Sequence, residues 1–218
     1  MLAKKPSRSS GAGALTPKYD IGCHEQCHIL LIVKSKRKII VQIAISADGF
    51  IARKDGSFDF LDRPRPRGDY GMGKFFNSID TILWGRKTYD QALTMGGVDP
   101  FGKKTKNYVF THHPPKSAAG RVEFVNEPID PFVKRLREKP GKDIWMMGGG
   151  GIIASFLDAG AIDEFSIHVI PVFVGEGIPL IAPARRTVNL KLLSTHRFPD
   201  GVVHLNYRVL RGGAAGGI

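Results

Sequence analysis

The sequence predicts an α/β fold in which one mixed, mostly parallel sheet is flanked by helices and ends in an antiparallel hairpin. Three observations carry this expectation. Apolar runs of strand length alternate with helix-length segments from Lys38 to Gly160. Two of the strand-to-helix junctions carry glycine, at Gly85 and at Gly148-Gly149-Gly150-Gly151. The last third then changes to extended segments, two of which meet at the turn signal Pro199-Asp200-Gly201.

The elements follow in chain order. Ile39 to Ile45 is nearly continuous in apolar residues, as suits a central strand covered on both faces. Asp55-Gly56 marks a turn, and Phe75 to Ile79 fits the end of a short helix. Thr81 to Trp84 reads as a strand and Lys87 to Leu93 as a helix. Asn107 to Phe110 is a further strand, broken by His112-His113-Pro114-Pro115, and Val122 to Val125 is another. Pro131 to Glu138 reads as a helix with Asp130 as its N-cap and Pro131 in the first position. Ile144 to Met147 is a buried strand, and Ile152 to Ala159 an apolar helix stopped by Gly160. Glu164 to Phe173, Val188 to Phe198 and Val202 to Leu210 are extended. A body of residues 38–211 is expected, with an aperiodic, disordered extension at 1–37 and a flexible Gly/Ala-rich tail at 212–218.

Composition narrows the class. The chain has 218 residues, 42% of them hydrophobic and 24% charged, as in one globular domain. No apolar run approaches the roughly 20 residues of a membrane span, and no secretory leader is evident, so the expected compartment is the cytoplasm. The net charge of +12 raises the question of nucleic acid. Half of that excess lies in residues 1–38, and no helix-turn-helix, finger or RNA-binding pattern is present, so no specific nucleic-acid partner is expected. Cys23 and Cys27 lie in Cys-His-Glu-Gln-Cys-His, a spacing without a second half-site, and no metal is expected there or at His112-His113.

Chemistry concentrates at the strand ends. A strand, four glycines and a helix place backbone N–H groups and the positive end of a helix where a phosphate can approach closely. Gly85-Arg86-Lys87-Thr88 repeats this topology and adds two cations and a hydroxyl. Two such junctions in one sheet suit a single extended anionic ligand across the strand ends. No nucleophile motif of the Gly-x-Ser-x-Gly, His-Glu-x-x-His or catalytic-cysteine kind occurs. Hydride transfer from a nicotinamide, which needs held partners rather than a protein nucleophile, is compatible with such a chain.

Four segments in order carry a resemblance: Ile43 to Ala52 (IAISADGFIA), Trp84 to Tyr89 (WGRKTY), Met147 to Gly151 (MGGGG) and Pro171 to Leu180 (PVFVGEGIPL). Together they resemble the dihydrofolate reductase superfamily. The first and last look most like the C-terminal reductase domain of the riboflavin-biosynthesis deaminase-reductase RibD and its stand-alone relatives. The resemblance implies a three-layer, dihydrofolate-reductase-like sandwich and NADPH as cofactor. Gly85, Arg86, Lys87 and Thr88 match the junction that holds the cofactor's phosphates. Thr111 and His112 match the strand end beside the adenosine ribose. Gly148, Gly149, Gly150, Gly151 and Ile152 match the pyrophosphate turn, with Gly151 standing where a basic residue is common. Ala44, Ile45 and the Ser46-to-Ile51 loop match the segment along the nicotinamide.

By the same resemblance Asp69 stands where dihydrofolate reductases carry an acid that delivers a proton through water; a helix cap is the equal alternative. Asp48 and His168 are the candidate substrate residues, the alternatives being a turn residue and a sheet-face histidine. The implied activity is reduction of a pterin- or pyrimidine-like small molecule, foremost 5-amino-6-(5-phosphoribosylamino)uracil, by a homodimer paired through Val188 to Leu210. Dihydrofolate reduction, reduction of a different substrate, and a non-catalytic NADPH-binding module are the alternatives.

Overall fold

The computed structural model describes residues 36–64, 68–95, 105–115 and 122–211. The Cys23/Cys27 segment, most of the N-terminal extension, Arg65, Arg67 and the C-terminal tail fall outside the described residues.

Among the described residues, eight strands form one sheet in the order β5-β4-β3-β6-β1-β7-β10-β9. The central ones are β1 (Ile39–Ser46), β3 (Ile79–Gly85), β6 (Asp143–Gly148) and β7 (Glu164–Ile170). The edge is completed by β4 (Lys106–Phe110) and β5 (Val122–Val125), and all six of these pair in parallel. β9 (Leu190–Arg197) and β10 (Val203–Val209) form the antiparallel end, with β10 running against β7. This is the mixed α/β sheet the alternation of segments implies.

Helices cover both faces. α3 (Ile129–Glu138) and α4 (Gly150–Asp158) send Phe132, Leu136, Ile153 and Phe156 into a continuous core with Val41, Leu83 and Met146. α1 (Met72–Ser78) and α2 (Arg86–Thr94) lie opposite, where Phe75, Phe76 and Tyr89 pack with Trp84 and Trp145. Side chains alternate along β1, so Val41 and Ile43 face α3 and α4 while Ala44 faces the other side. Parallel strands covered on both faces need apolar residues at both parities, which is why these runs look continuous.

Three expectations need correction. α3 starts at Ile129 with Pro128 as N-cap, so Asp130 and Pro131 stand inside its first turn. Pro131 is tolerated there because the first N–H groups of a helix have no intrahelical partner. α4 starts at Gly150, two residues before the expected Ile152, so only Gly148 and Gly149 form the turn. Part of the Ser46-to-Ile51 loop is strand: β2 (Phe50–Ala52) pairs with β8 (Ile178–Pro179) in a separate two-stranded sheet.

Candidate cofactor and substrate site

The carboxyl ends of β4, β3 and β6 lie side by side, because Gly85 pairs with Phe110 and Trp84 with Gly148. Parallel pairing thus brings the two glycine junctions together at one edge of the sheet, where ligands of open α/β sheets bind. They are joined directly: Gly149 N donates to Thr88 Oγ1 at 3.0 Å. A Cβ added at Gly85 would stand 3.1 Å from Ile152 Cγ2 and 3.2 Å from the Gly148 carbonyl oxygen. Gly148 has φ 121° and Gly149 φ 21°, a region that favours glycine.

The site residues divide by what already engages them. Arg86 Nε donates to both carboxylate oxygens of Asp90 at 2.8 Å, and its guanidinium lies over the Phe124 ring at 5.5 Å, so the side chain is held at the rim of the junction. Lys87 is exposed. Thr111 N donates to the Val125 carbonyl at 3.0 Å, and Thr111 Oγ1 accepts from His113 N at 3.2 Å. His112 is exposed beside it. Thr88 Oγ1 accepts from Gly149 and keeps its own proton to donate. The first α4 hydrogen bond runs from Ile153 N to the Gly149 carbonyl, which leaves the N–H groups of Gly150, Gly151 and Ile152 without intrahelical acceptors.

These features fit a dinucleotide phosphate. The approach is stripped of side chains at Gly85 and Gly149, two helix N-termini converge on it, and a Cβ at Gly151 would meet no atom of the described residues within 4 Å. With no side chain at Gly151, a phosphate there would be met by backbone N–H groups. Ala44 faces the α1 side of the sheet, whereas the Ile45 side chain packs into the α3/α4 core, so Ile45 has only its backbone to present on that side.

Asp48 pins one loop to another. It accepts from Ser46 Oγ at 2.5 Å, from Val174 N at 3.2 and 3.1 Å, and from Gly175 N at 2.7 Å. The Ser46 hydroxyl and these N–H groups hold its carboxyl below the usual range. Asp69 accepts from Gly73 N at 2.6 Å and Gly71 N at 2.9 Å, donors that likewise lower its pKa. Both oxygens therefore serve the start of α1, as a capping aspartate does.

His168 is buried on the α1 side of the sheet, stacked on His204 with centroids 4.1 Å apart. Burial, then the neighbouring His204, depress its pKa from 6.5 to about 4, so the ring is neutral near pH 7. Its Nε2 lies 3.2 Å from the Tyr70 carbonyl. Tyr70, at φ 55°, packs its ring on Phe198 and donates its hydroxyl to Asp200 at 2.5 Å. A non-glycine residue at such a φ stores strain and clusters at functional sites.

Residues 37–204 match the RibD C-terminal domain. The chain belongs to that family. Its members include reductase domains, and the relatives agree in extent. The Bacillus subtilis protein YwjB is 40% identical over 167 residues, which cover 77% of this chain and 95% of YwjB. A structure from Shewanella sp. PV-4, of a protein named for riboflavin biosynthesis, matches at 26% identity and TM-score 0.72 over 80% of this chain and 99% of its own. A dihydrofolate reductase from Enterococcus faecalis, solved with NADP(H) and RAB-propyl, shares the fold at TM-score 0.54 and 15% identity over 79% of this chain and 96% of its own. The RibD C-terminal fold thus has the dihydrofolate-reductase-like architecture that the four motifs imply.

Sequence reasoning missed Gln42, Tyr70, Asp200 and His204. Gln42 had a visible signal, since it is the one polar residue inside the apolar run Ile39 to Ile45. Tyr70, Asp200 and His204 come together through strand pairing and loop placement across more than 100 positions, which no local pattern records. Among the described residues no three His, Cys, Asp or Glu side chains converge as a metal site, and no helix is long and apolar enough to cross a membrane.

Proposed function

We propose that this protein is an NADPH-dependent reductase of a pyrimidine- or pterin-like small molecule, foremost 5-amino-6-(5-phosphoribosylamino)uracil. The observation that carries the reading is the locked pair of glycine junctions, joined by Gly149 N and Thr88 Oγ1, beside a sheet face holding a buried, neutral His168. When bound, NADPH supplies a hydride to the carbon of a C=N or C=O bond.

The chain's own residues hold and orient. Gly148, Gly149 and the N–H groups of Gly150, Gly151 and Ile152 take the pyrophosphate at the α4 N-terminus. Thr88 Oγ1 donates to a phosphate oxygen, with Arg86 and Lys87 adding positive charge. Thr111 and His112 flank the adenosine ribose, where a 2′-phosphate selects NADPH over NADH. Ala44 and the backbone of Ile45 line the nicotinamide. Asp48 acts indirectly, by holding the β1–β2 loop against residues 172–175. With both oxygens of Asp69 bonded to backbone N–H groups, we assign it to the start of α1, and the proton that accompanies reduction comes from solvent.

A homodimer belongs to this reading. β9 is an edge strand exposed along its whole length, with Leu190, Leu192 and Leu193 open to solvent, and an apolar edge of this kind invites pairing with another strand. The cytoplasm suits such an enzyme. The test is NADPH oxidation by the purified protein with the pyrimidine ribosyl phosphate and, separately, with dihydrofolate. Turnover of the first supports the riboflavin-type reading, turnover of the second moves the substrate to folate, and loss of NADPH with neither removes both.

A further inference from the structure

The two faces of the sheet are built differently. The α3/α4 face carries one continuous apolar cluster. Among the described residues the α1/α2 face carries two, one around Trp84 and Trp145 and one around Phe60, Ile170 and Val202. Between them on the sheet lie polar side chains: Gln42, Ser166 and His168, exposed by only 5%, 8% and 7%, with His204 next to them. Polar groups at such depth cost free energy unless each is hydrogen-bonded, so their partners can be traced one by one.

Ser166 Oγ and His204 Nε2 bond to each other at 2.7 Å. His168 Nε2 faces the Tyr70 carbonyl, which can only accept, so Nε2 carries the proton. In a neutral ring Nδ1 is then a bare acceptor, and Gln42, 3.4 Å away, must offer it the amide nitrogen. The same nitrogen lies 3.3 Å from Met72 Sδ, while Trp145 Nε1 anchors the Gln42 backbone carbonyl at 2.9 Å. The amide orientation is thus set by its neighbours, and Gln42 Oε1, on the other side, is buried with no hydrogen-bond partner among the described residues.

We infer that Gln42 Oε1 is a substrate-recognition acceptor, taking a hydrogen bond from an N–H of a planar nitrogen heterocycle seated in the break between the two apolar clusters. His168 is its positioning residue. The inference rests on the reductase reading and sharpens it: the substrate ring carries an amide or amino N–H on the edge that enters first, and a ring alkylated there is rejected. A buried acceptor that a ligand satisfies discriminates more strongly than apolar contact does.

The test uses the full chain with NADPH. Gln42→Met keeps the length of the side chain and removes the acceptor. The KM for 5-amino-6-(5-phosphoribosylamino)uracil is expected to rise about tenfold, the equivalent of one lost hydrogen bond, with kcat and NADPH affinity held within about twofold. The melting temperature is expected to change little, because the variant removes one unsatisfied acceptor, Gln42 Oε1, and leaves another, His168 Nδ1, without its donor. On the unsubstituted protein, binding of 5,6-diaminouracil is compared with that of its ring-N-methylated analogues, which keeps the question open to test should Gln42→Met fold poorly. At least one methylation is expected to weaken binding to the natural protein and to leave binding to Gln42→Met unchanged. Equal KM in both proteins, or a lower melting temperature with unchanged KM, overturns the assignment and leaves Oε1 to a structural water. Equal binding of every methylated ring overturns it as well. Failure of the natural protein to bind any of these rings overturns it together with the reductase reading.

Discussion

The contact between the two glycine junctions can be tested by adding one methyl group. Gly85 has φ −77° and ψ 146°, which alanine adopts freely, so Gly85→Ala brings no backbone strain. It reduces the freedom of the unfolded chain, a gain of roughly 0.5–1 kcal/mol. Against this, its Cβ would stand 3.1 Å from Ile152 Cγ2 and 3.2 Å from the Gly148 carbonyl oxygen. The methyl of Ile152 can rotate away, but the carbonyl belongs to the β6–α4 backbone and cannot. Overpacking of this kind costs about 1–3 kcal/mol, so the net loss is up to about 2.5 kcal/mol and centred on about 1 kcal/mol. For a domain of this size a loss of about 1 kcal/mol lowers the melting temperature by roughly 2–4 °C. The displaced junction also loses the Gly149–Thr88 bond, and NADPH affinity, measured by fluorescence titration, is expected to fall about tenfold or more, as for one lost hydrogen bond. Gly151→Ala is the control. Its Cβ meets nothing, and alanine in a helix is favoured over glycine by roughly 0.5–1 kcal/mol, so stability is expected to hold or rise. If Gly85→Ala melts and binds NADPH as the natural protein does, the junctions are not the tight cofactor site argued here.

Three further outcomes follow from the same geometry. His168 has a folded pKa of about 4 against 6.5 ordinarily, so below pH 6.5 the unfolded chain takes a proton that the folded protein refuses until about pH 4. Stability therefore falls as pH drops through that window and levels off below it; the full shift equals about 3 kcal/mol, and screening by nearby water reduces it to roughly 1–2 kcal/mol. Urea melts across this range, with His168→Phe flattening the slope, check the sign and the size. Asp69→Asn keeps one acceptor oxygen and is expected to lower the melting temperature slightly, with kcat far less reduced than the roughly hundredfold that loss of a general acid costs. A hundredfold fall with an intact fold would return Asp69 to the proton-donor role. Leu192→Arg on the exposed edge strand is expected to convert a dimer to a monomer in light scattering without loss of helix content, and an unchanged mass would move the contact off β9.

The parts of this fold that were legible in the sequence are those written in local pattern. β1, β3 and β6 are apolar at both parities because both faces are covered, and the turn at Gly201, with φ 88°, is the one that Pro199-Asp200-Gly201 announces. The glycines at 85 and 148–149 were readable for the same reason: close approach and positive φ exclude other residues. Helix starts were less legible. Pro131 suggests a first position, yet the helix begins two residues earlier because any of its first few positions can forgo an N–H. Long-range assembly was not legible at all. Asp48 looks like a turn residue and is one, but its carboxylate also binds N–H groups 126 and 127 positions away. The polar row from Gln42 through His168 to His204 exists only once β1, β7 and β10 are in register.

The most direct measurement is deuteride transfer. The protein is incubated with NADPH carrying deuterium at the transferable position and with 5-amino-6-(5-phosphoribosylamino)uracil, and the product is examined by mass spectrometry. One deuterium per product molecule, appearing at the rate of NADPH loss and slowed by Gly85→Ala at limiting NADPH, is the expected result. Absence of deuterium from the product, with dihydrofolate giving none either, would contradict the assignment of this site to hydride transfer.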